Sequence, residues 1–123
     1  MPMPTREQIA RQIRRYYSLT DQGEIPTVIA LFAPGATYCR PGYPPLVGRD
    51  RLAVFYHSQR VIDYGIHTVS QLVIDGHTAA VEGEFEGTLR DGMAVALRFA
   101  DFFEVNEDLL FEVRNTYFFT PLV

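Results

Sequence analysis

The sequence predicts a single α+β domain, residues 1–123, in which three N-terminal helices pack within a strongly curved sheet that is mixed but mostly antiparallel. Apolar residues recur at helical spacing in the first half of the 123 residues, and a period of two replaces that spacing in the second half. Short turns such as Asp75-Gly76 and Asp91-Gly92 favour hairpins between the later segments. Strands this long in so short a chain must curl, which predicts a cone-shaped sheet with helices covering one face.

Three segments of the first half carry the helical pattern. The first begins at Thr5, whose hydroxyl group is a good N-cap, and its buried side is predicted to carry Tyr16 and Tyr17. In the second, Pro26 lies in the first turn, where a missing N–H costs little, and Pro34-Gly35 is expected to end the helix. The predicted helices therefore run over Thr5–Thr20, Glu24–Phe32 and Arg49–Ile62.

Five strands are predicted, one short and four long. In the second long strand, Glu82, Glu84 and Glu86 alternate with small and apolar residues, as in a strand with one solvated face. Three prolines within residues 41–45 indicate a loop after the short strand. The predicted strands are Ala36–Arg40, Ile66–Asp75, His77–Arg90, Met93–Val105 and Leu109–Thr120.

The composition excludes several classes of partner. Eleven basic and 15 acidic residues give a net charge of −4, with no basic run to follow a phosphate backbone, so we expect no nucleic-acid partner. No apolar run approaches the ~20 residues that cross a bilayer, and the first residues lack the pattern of a signal peptide. We therefore expect a cytoplasmic protein without membrane contact. One cysteine, Cys39, and three histidines without metal-site spacing predict neither a metal nor another cofactor.

A carboxylate interrupts an apolar row on the third long strand. Asp101 falls among the inward-facing residues Met93, Val95, Leu97, Phe99, Phe103 and Val105. Burying a carboxylate is costly unless it is paired, hydrogen-bonded or protonated. Two interpretations stay open: Asp101 is a pocket acid that takes part in proton transfer, or it is structural, either pairing with Arg98, Arg114 or a backbone donor or facing water at a bulge.

Other residue types suited to a site lie near the ends of the predicted elements. His67, at the start of the first long strand, is suited to proton transfer near neutral pH. Asn115 and Tyr117 are expected on the face of the last strand that lies beside Asp101, where both would orient a ligand or form a hydrogen bond with Asp101. The remaining candidate ligand-binding residues are Tyr38, Arg40, Tyr56, Phe85 and Phe103. Each of these also has a structural interpretation, as a packing residue or a solvated side chain.

The order of elements and several local phrases resemble a known family. The phrases are YYSLTDQGEIPTVIALFAPGATY, GRDRLAVFY, HTVSQLVIDGHTAAVEGEFEG and DGMAVALRFADFFEV. They resemble the SnoaL-like branch of the NTF2-like superfamily, which includes ketosteroid isomerase, polyketide cyclases and limonene epoxide hydrolase. The resemblance implies a conical pocket and a homodimer built through the outer face of the sheet. It says little about the reaction, because this fold hosts many chemistries and some non-enzymes.

Individual residues match these relatives unequally. By similarity to ketosteroid isomerase, Tyr16 stands for the oxyanion-hole tyrosine and Asp101 for the protonated aspartic acid, but Arg40 stands in the segment of the catalytic base. That departure argues against steroid isomerisation by the usual mechanism, and the basic side chain implies an anionic or carbonyl-bearing ligand. Similarity to polyketide cyclases implies a His and an Asp, which His67 and Asp101 would supply. The Asp-Arg-Asp relay of limonene epoxide hydrolase is not matched, because Arg98 has the wrong spacing and the last strand has no second Asp.

Two functions are compatible with these residues. One is an isomerase, cyclase or lyase that moves a proton next to a carbonyl of a hydrophobic substrate with Asp101, Tyr16 and His67. In that enzyme, replacing Asp101 with Asn would lower turnover far more than stability. The other is a non-catalytic dimer that binds a hydrophobic ligand or serves as a scaffold. An open cavity where the three residues converge indicates the enzyme, and a filled cone with Asp101 tied to an arginine indicates the scaffold.

Overall fold

The computed structural model describes residues 2–119, which form three α-helices and six strands. The helices are α1 (Arg6–Asp21), α2 (Ile25–Ala30) and α3 (Arg49–Val54), the last of which continues into a π-helical turn (Phe55–Gln59). The strands are β1 (Phe32–Cys39), β2 (Leu46–Val47), β3 (Ile62–Asp75), β4 (Thr78–Leu89), β5 (Ala94–Val105) and β6 (Phe111–Phe119).

The six strands form one mixed sheet in the order β2-β1-β6-β5-β4-β3. β1 and β6 run parallel, and the other neighbouring strands are antiparallel. β2 and β3 lie at opposite ends of this order, so the described strands curl without closing into a barrel. The predicted α+β class and the mixed, mostly antiparallel sheet are confirmed.

Helix α1 starts where the sequence predicts and supplies much of the core. Thr5 Oγ1 accepts a hydrogen bond from the Gln8 backbone N–H at 3.1 Å, and Gln8 Oε1 accepts one from the Thr5 N–H at 2.8 Å. This capping box satisfies two N–H groups that the helix itself leaves free. The buried face of the helix consists of Ile9, Ile13, Tyr16, Tyr17 and Thr20.

The second predicted helix was too long. α2 ends at Ala30, and Phe32 begins β1, so Pro34-Gly35 lies inside a strand rather than ending a helix. The pairing of β1 with β6 is irregular between Phe32 and Thr37. A proline has no N–H to offer a neighbouring strand, and an irregular stretch of this kind accommodates it.

The third predicted helix was also too long. Regular helix ends at Val54, and the π-helical turn is closed by a 2.8 Å bond from the Arg60 N–H to the Phe55 carbonyl. β3 consequently begins at Ile62, four residues before its predicted start. The turn places Tyr56 in the interior, only 4% exposed.

Strands β4 and β5 alternate as predicted. On β4, Val81 and Phe85 are buried between exposed glutamates, and β5 directs Phe99, Asp101 and Phe103 inward. In the register of the sheet, Val81 lies opposite Asp101. Asp101 is therefore a carboxylate in an apolar row, with no exposed surface.

The predicted alternation of β6 was wrong beyond its first residues. Phe111 pairs with Val105 and Val113 with Glu104, so β6 holds one extra residue at this point. Such a bulge reverses which side chains face the core. Asn115 and Tyr117 consequently lie on the outer face, not beside Asp101, and the inward positions belong to Arg114, Thr116 and Phe118.

Candidate functional site

A narrow cleft opens between α1, the π-helical turn and the inner face of the sheet. Its cavity volume is about 30 Å³, and the larger empty volume of about 420 Å³ includes open solvent at the mouth. We call its buried lining residues the floor; they are Tyr16, Tyr56, Phe85, Phe99, Arg114 and Thr116. We call its half-buried lining residues the rim; they are Arg40, Arg60, Ile62, Leu97 and Phe118. His67 also lines the cleft, with 10% of its side chain exposed.

Asp101 lies behind the floor and accepts three hydrogen bonds. Arg114 Nη2 donates to Oδ2 at 2.9 Å, Tyr17 Oη donates to the same oxygen, and Thr116 Oγ1 donates to Oδ1. Because each partner is a donor, the carboxyl group serves as an acceptor, the role of its ionised form. Among the partners that the sequence offered, Arg114 is the one found. The Arg98 side chain faces outward, and its Nη2 lies 3.9 Å from Glu82 Oε2.

Arg114 connects this buried acid to the cleft. Burial alone would lower the pKa of the Arg114 guanidinium, but the Asp101 carboxylate raises that pKa well above its usual range, so the group stays charged. The rings of Tyr16 and Tyr38 lie 4.6 and 4.5 Å from its Cζ, as in cation–π contacts. A fixed positive charge therefore forms part of the floor.

Two tyrosine hydroxyl groups meet at this charge. Arg114 Nη1 donates to the hydroxyl oxygens of Tyr16 and Tyr56, at 2.5 and 3.2 Å, and the two hydroxyls share a hydrogen bond. Burial raises the pKa of both tyrosines, so both keep their protons at neutral pH. Their mutual bond uses one proton. The second O–H proton has no acceptor among residues 2–119, so a ligand in the cleft can accept it.

His67 forms another wall of the cleft and pairs with Asp21, which is not part of the lining. His67 Nδ1 lies 2.5 Å from Asp21 Oδ1, and the His67 backbone N–H donates to Asp21 Oδ2 at 2.9 Å. A carboxylate partner selects the ring form that carries its proton on Nδ1. In the neutral ring, Nε2 then keeps a lone pair that can accept a proton. The rings of Tyr17, Phe85 and Phe99 surround the imidazole at 5.3, 4.7 and 5.5 Å.

The structure brings only some of the predicted site residues together. Those that line the cleft are Tyr16, Arg40, Tyr56, His67 and Phe85. Asp101, Tyr38 and Phe103 have no exposed surface and lie behind the lining. Asp101 and Tyr16 meet only through Arg114, and His67 contacts a different acid, Asp21. The three predicted catalytic residues therefore do not converge on one point.

Three residues of this arrangement were missed from the sequence. Asp21 is not among the predicted site residues, although an acidic residue at a helix C-terminus opposes the helix dipole, which is a signal that it has another role. Thr116 was not predicted, because the bulge in β6 reverses which side chains of that strand face the core. Tyr17 is predicted only for the buried side of the first helix, and its hydroxyl donates to Asp101.

Neither a metal centre nor a membrane segment is found in the described part of the chain. Among residues 2–119, no three His, Cys, Asp or Glu side chains lie close enough to hold one ion. None of the described helices has the length and apolar composition needed to cross a membrane.

Helices within a curved sheet, with a cleft that is polar at its floor, define a small pocket protein of the NTF2-like fold. The family model for the SnoaL-like domain matches residues 13–113, which is most of the chain. The protein belongs to the SnoaL-like domain family.

Solved structures share this fold at low sequence identity. An NTF2-like protein of unknown function from Burkholderia pseudomallei superposes with a TM-score of 0.80, at 18% identity and 91% coverage of both chains. SalBIII, an epoxide hydrolase/cyclase-like enzyme of pyran ring formation in salinomycin, superposes with a TM-score of 0.82 at 16% identity. The match covers 93% of this chain and 92% of SalBIII. An LEH-like epoxide hydrolase from M. tuberculosis gives 0.81 at 17% identity, with 94% and 86% covered.

Proposed function

We propose that the protein is an enzyme that moves a proton at a carbon atom next to a carbonyl group of a small hydrophobic substrate. One observation carries this proposal: a neutral hydroxyl pair that accepts hydrogen bonds from Arg114 and an imidazole held by Asp21 line the same cleft. The first is a donor suited to a developing oxyanion, and the second is an acceptor suited to a proton.

The chemical step uses these two groups together. His67 Nε2 takes a proton from the carbon next to the carbonyl, and the electron pair of that C–H bond forms a carbon–carbon double bond. The carbonyl oxygen becomes an enolate oxygen, which accepts the free O–H proton of the Tyr16–Tyr56 pair as a hydrogen bond. Oxyanion donors of this kind contribute roughly 3–4 kcal/mol to lowering a barrier, and a placed base about 10²–10⁴ in rate.

Asp101 has a different role in this mechanism from the one that the family resemblance implies. It contacts Arg114, Tyr17 and Thr116 rather than the cleft. It therefore acts as a positioning residue that fixes the guanidinium behind the hydroxyl pair, rather than donating a hydrogen bond to the substrate itself.

The enolate is common to the reactions considered for this chain. Return of the proton to another carbon gives isomerisation, attack of the enolate carbon on a second carbonyl closes a ring, and loss of a leaving group completes an elimination. Membership in the SnoaL-like family and likeness to an epoxide hydrolase/cyclase-like enzyme support pocket chemistry. The shared fold does not select one of these reactions.

A non-catalytic binding protein is the second candidate function. Two observations favour it. The salt bridge between Asp101 and Arg114 keeps the acid that the family resemblance assigns to catalysis away from the cleft. Asp101, Tyr16 and His67 also do not converge on one point, as expected of a scaffold. In this alternative the same cleft holds a hydrophobic ligand without changing it.

Exchange of protons in D2O separates the two candidates. Phenylacetone has acidic hydrogens next to its carbonyl, and their replacement by deuterium is followed by proton NMR. The enzyme is expected to accelerate this exchange, and His67→Gln to remove most of the acceleration. His77→Gln is the matched control, because His77 is exposed beside a hairpin turn. Binding of the ketone without accelerated exchange would favour the second candidate.

A further inference from the structure

The rim of the cleft carries two arginines, Arg40 and Arg60, that take part in none of the ion pairs of residues 2–119. The third arginine of the lining, Arg114, already has a counter-charge in Asp101. No acidic residue lines the cleft, although the protein carries a net charge of −4. The cleft therefore has an unbalanced positive charge at its mouth.

Aromatic rings hold the Arg40 guanidinium in place. The ring centroids of Phe55, Phe118, Tyr43 and Tyr38 lie 5.1, 5.3, 5.6 and 6.0 Å from its Cζ. Such contacts fix a cation without removing its charge. Nη1 donates to Tyr38 Oη at 3.1 Å, but the buried Nε has no acceptor in the described chain. One of the five N–H donors of this side chain therefore has an acceptor among residues 2–119.

Arg60 is tied to the same side of the rim. The Tyr43 ring is one of those around Arg40, and the Tyr43 hydroxyl donates to the carbonyl of Gln59 at 2.9 Å. Gln59 directly precedes Arg60, whose Cζ lies 5.9 Å from the ring centroid of Tyr56. Both arginines line the same cleft.

We propose that Arg40 and Arg60 form a carboxylate subsite, and that the ligand is a keto acid with an apolar body. A guanidinium matches the planar shape of a carboxylate and binds it through paired, charge-assisted hydrogen bonds. Leu97 and Phe118 offer apolar contact between the rim and the floor. The position of the ketone at Tyr16 rests on the proposed function, whereas the preference for an anion does not.

A pair of probes that differ only in charge tests the subsite. Benzoylpropionate carries an aryl ketone and a carboxylate, and its methyl ester keeps the ketone but not the charge. By calorimetric titration at low salt, the acid is expected to bind at least about tenfold more tightly than the ester. Equal affinity for the two probes would overturn the proposal.

Variants locate the effect on the rim. Arg40→Met and Arg60→Met keep most of the side-chain stem, and each is expected to weaken the acid by about tenfold while changing the ester by less than about twofold. Arg98→Met, on the outer face of the sheet, is the matched control and is expected to change neither. Equal weakening of both probes by the rim variants would contradict the proposal. If Arg40→Met does not fold, Arg60→Met and the two probes on the wild-type protein still decide.

The proposed function and the subsite fail separately. The same titration is repeated with His67→Gln, which lacks the proposed base but keeps both rim arginines. A tenfold preference for the acid in this variant, without accelerated exchange of phenylacetone by the wild type, would uphold the subsite and overturn the chemistry. Accelerated exchange by the wild type without a preference for the acid would uphold the proposed chemistry and overturn the subsite.

Discussion

Arg114 and Asp101 form a salt bridge of 2.9 Å between neighbouring strands, with 6% of the arginine side chain and none of the aspartate exposed. Each charge is buried only because the other is present. Removing one partner from such a pair leaves the other without compensation, which costs about 3–5 kcal/mol, whereas removing both is often tolerated.

We predict that Asp101→Asn lowers the free energy of unfolding by about 3 kcal/mol or more, because Arg114 loses its counter-charge. The sequence alone predicts that Asp101→Asn lowers turnover far more than stability. Because the structure pairs Asp101 with Arg114, we expect a large loss of stability as well. Urea denaturation followed by circular dichroism measures the change.

The control for this variant removes both charges. Asp101→Leu combined with Arg114→Met is expected to recover much of the lost stability while losing any acceleration of proton exchange. Wild-type stability in Asp101→Asn would show that the salt bridge does not anchor the floor.

Three buried hydroxyl groups make the fold sensitive to alkali. Burial raises the pKa of Tyr16, Tyr17 and Tyr56, and the Asp101 carboxylate raises that of Tyr17 further. Below the ordinary tyrosine pKa of about 10, folded and unfolded chains hold the same protons on these groups. Above it the unfolded chain ionises first, so the free energy of unfolding falls by up to about 1.4 kcal/mol per pH unit for each tyrosine.

We predict that Tyr17→Phe makes the free energy of unfolding fall less steeply with pH above about pH 10. The slope should decrease by about 1.4 kcal/mol per pH unit, which is the contribution of one proton. Urea denaturation at a series of pH values from about pH 8 to about pH 11 measures the slope in each protein. Tyr64→Phe is the matched control, because Tyr64 is 63% exposed in the folded chain and its hydroxyl is hydrated in both states. An unchanged slope in Tyr17→Phe would mean that its hydroxyl ionises equally in both states.

The sequence was sufficient for the fold because its local signals agree. The capping box at Thr5, the alternation on β4 and the hairpin turns each specify one element without help from distant residues. Period and turn chemistry of this kind survive in the folded chain because one face of each element is buried.

The site was only partly predictable because it depends on contacts between elements. The extra residue in β6 arises from pairing with β5 and exchanges Asn115 and Tyr117 for Arg114 and Thr116 on the inner face. The meeting of Asp21 with His67 joins residues 46 positions apart, which no local period reports. Asp101 was detectable because a charge in an apolar row violates the pattern of a single strand.

Asp21 is predicted to position His67 for proton transfer. Asp21→Asn removes the carboxylate that selects the Nδ1–H form of the ring, so exchange of phenylacetone is expected to slow by at least about 100-fold. Nitrogen-15 NMR of the imidazole reports the same change directly, because protonated and unprotonated ring nitrogens have different shifts. Asp75→Asn, at an exposed hairpin end, is the matched control. Slower exchange with an unaltered His67 spectrum would assign Asp21 a merely structural role.

The outer face of the sheet carries the surface on which we predict a homodimer. Phe102 and Tyr117 are 46% and 55% exposed and pack edge to face, with ring centroids 5.9 Å apart. Contiguous exposed aromatic rings are typical of association surfaces, because their burial removes apolar area from water. Light scattering at micromolar concentration is expected to give twice the 14.0 kDa mass of one chain.

A charge on this surface is expected to dissociate the dimer. Phe102→Glu places a carboxylate where two copies would exclude water, and burying it unpaired is unfavourable, so the mass should fall to that of one chain. Val54→Glu, on α3, replaces an apolar residue of similar exposure and is the matched control. A wild-type protein that scatters as a monomer would contradict the prediction. A dimer that persists in Phe102→Glu would move the interface to another surface.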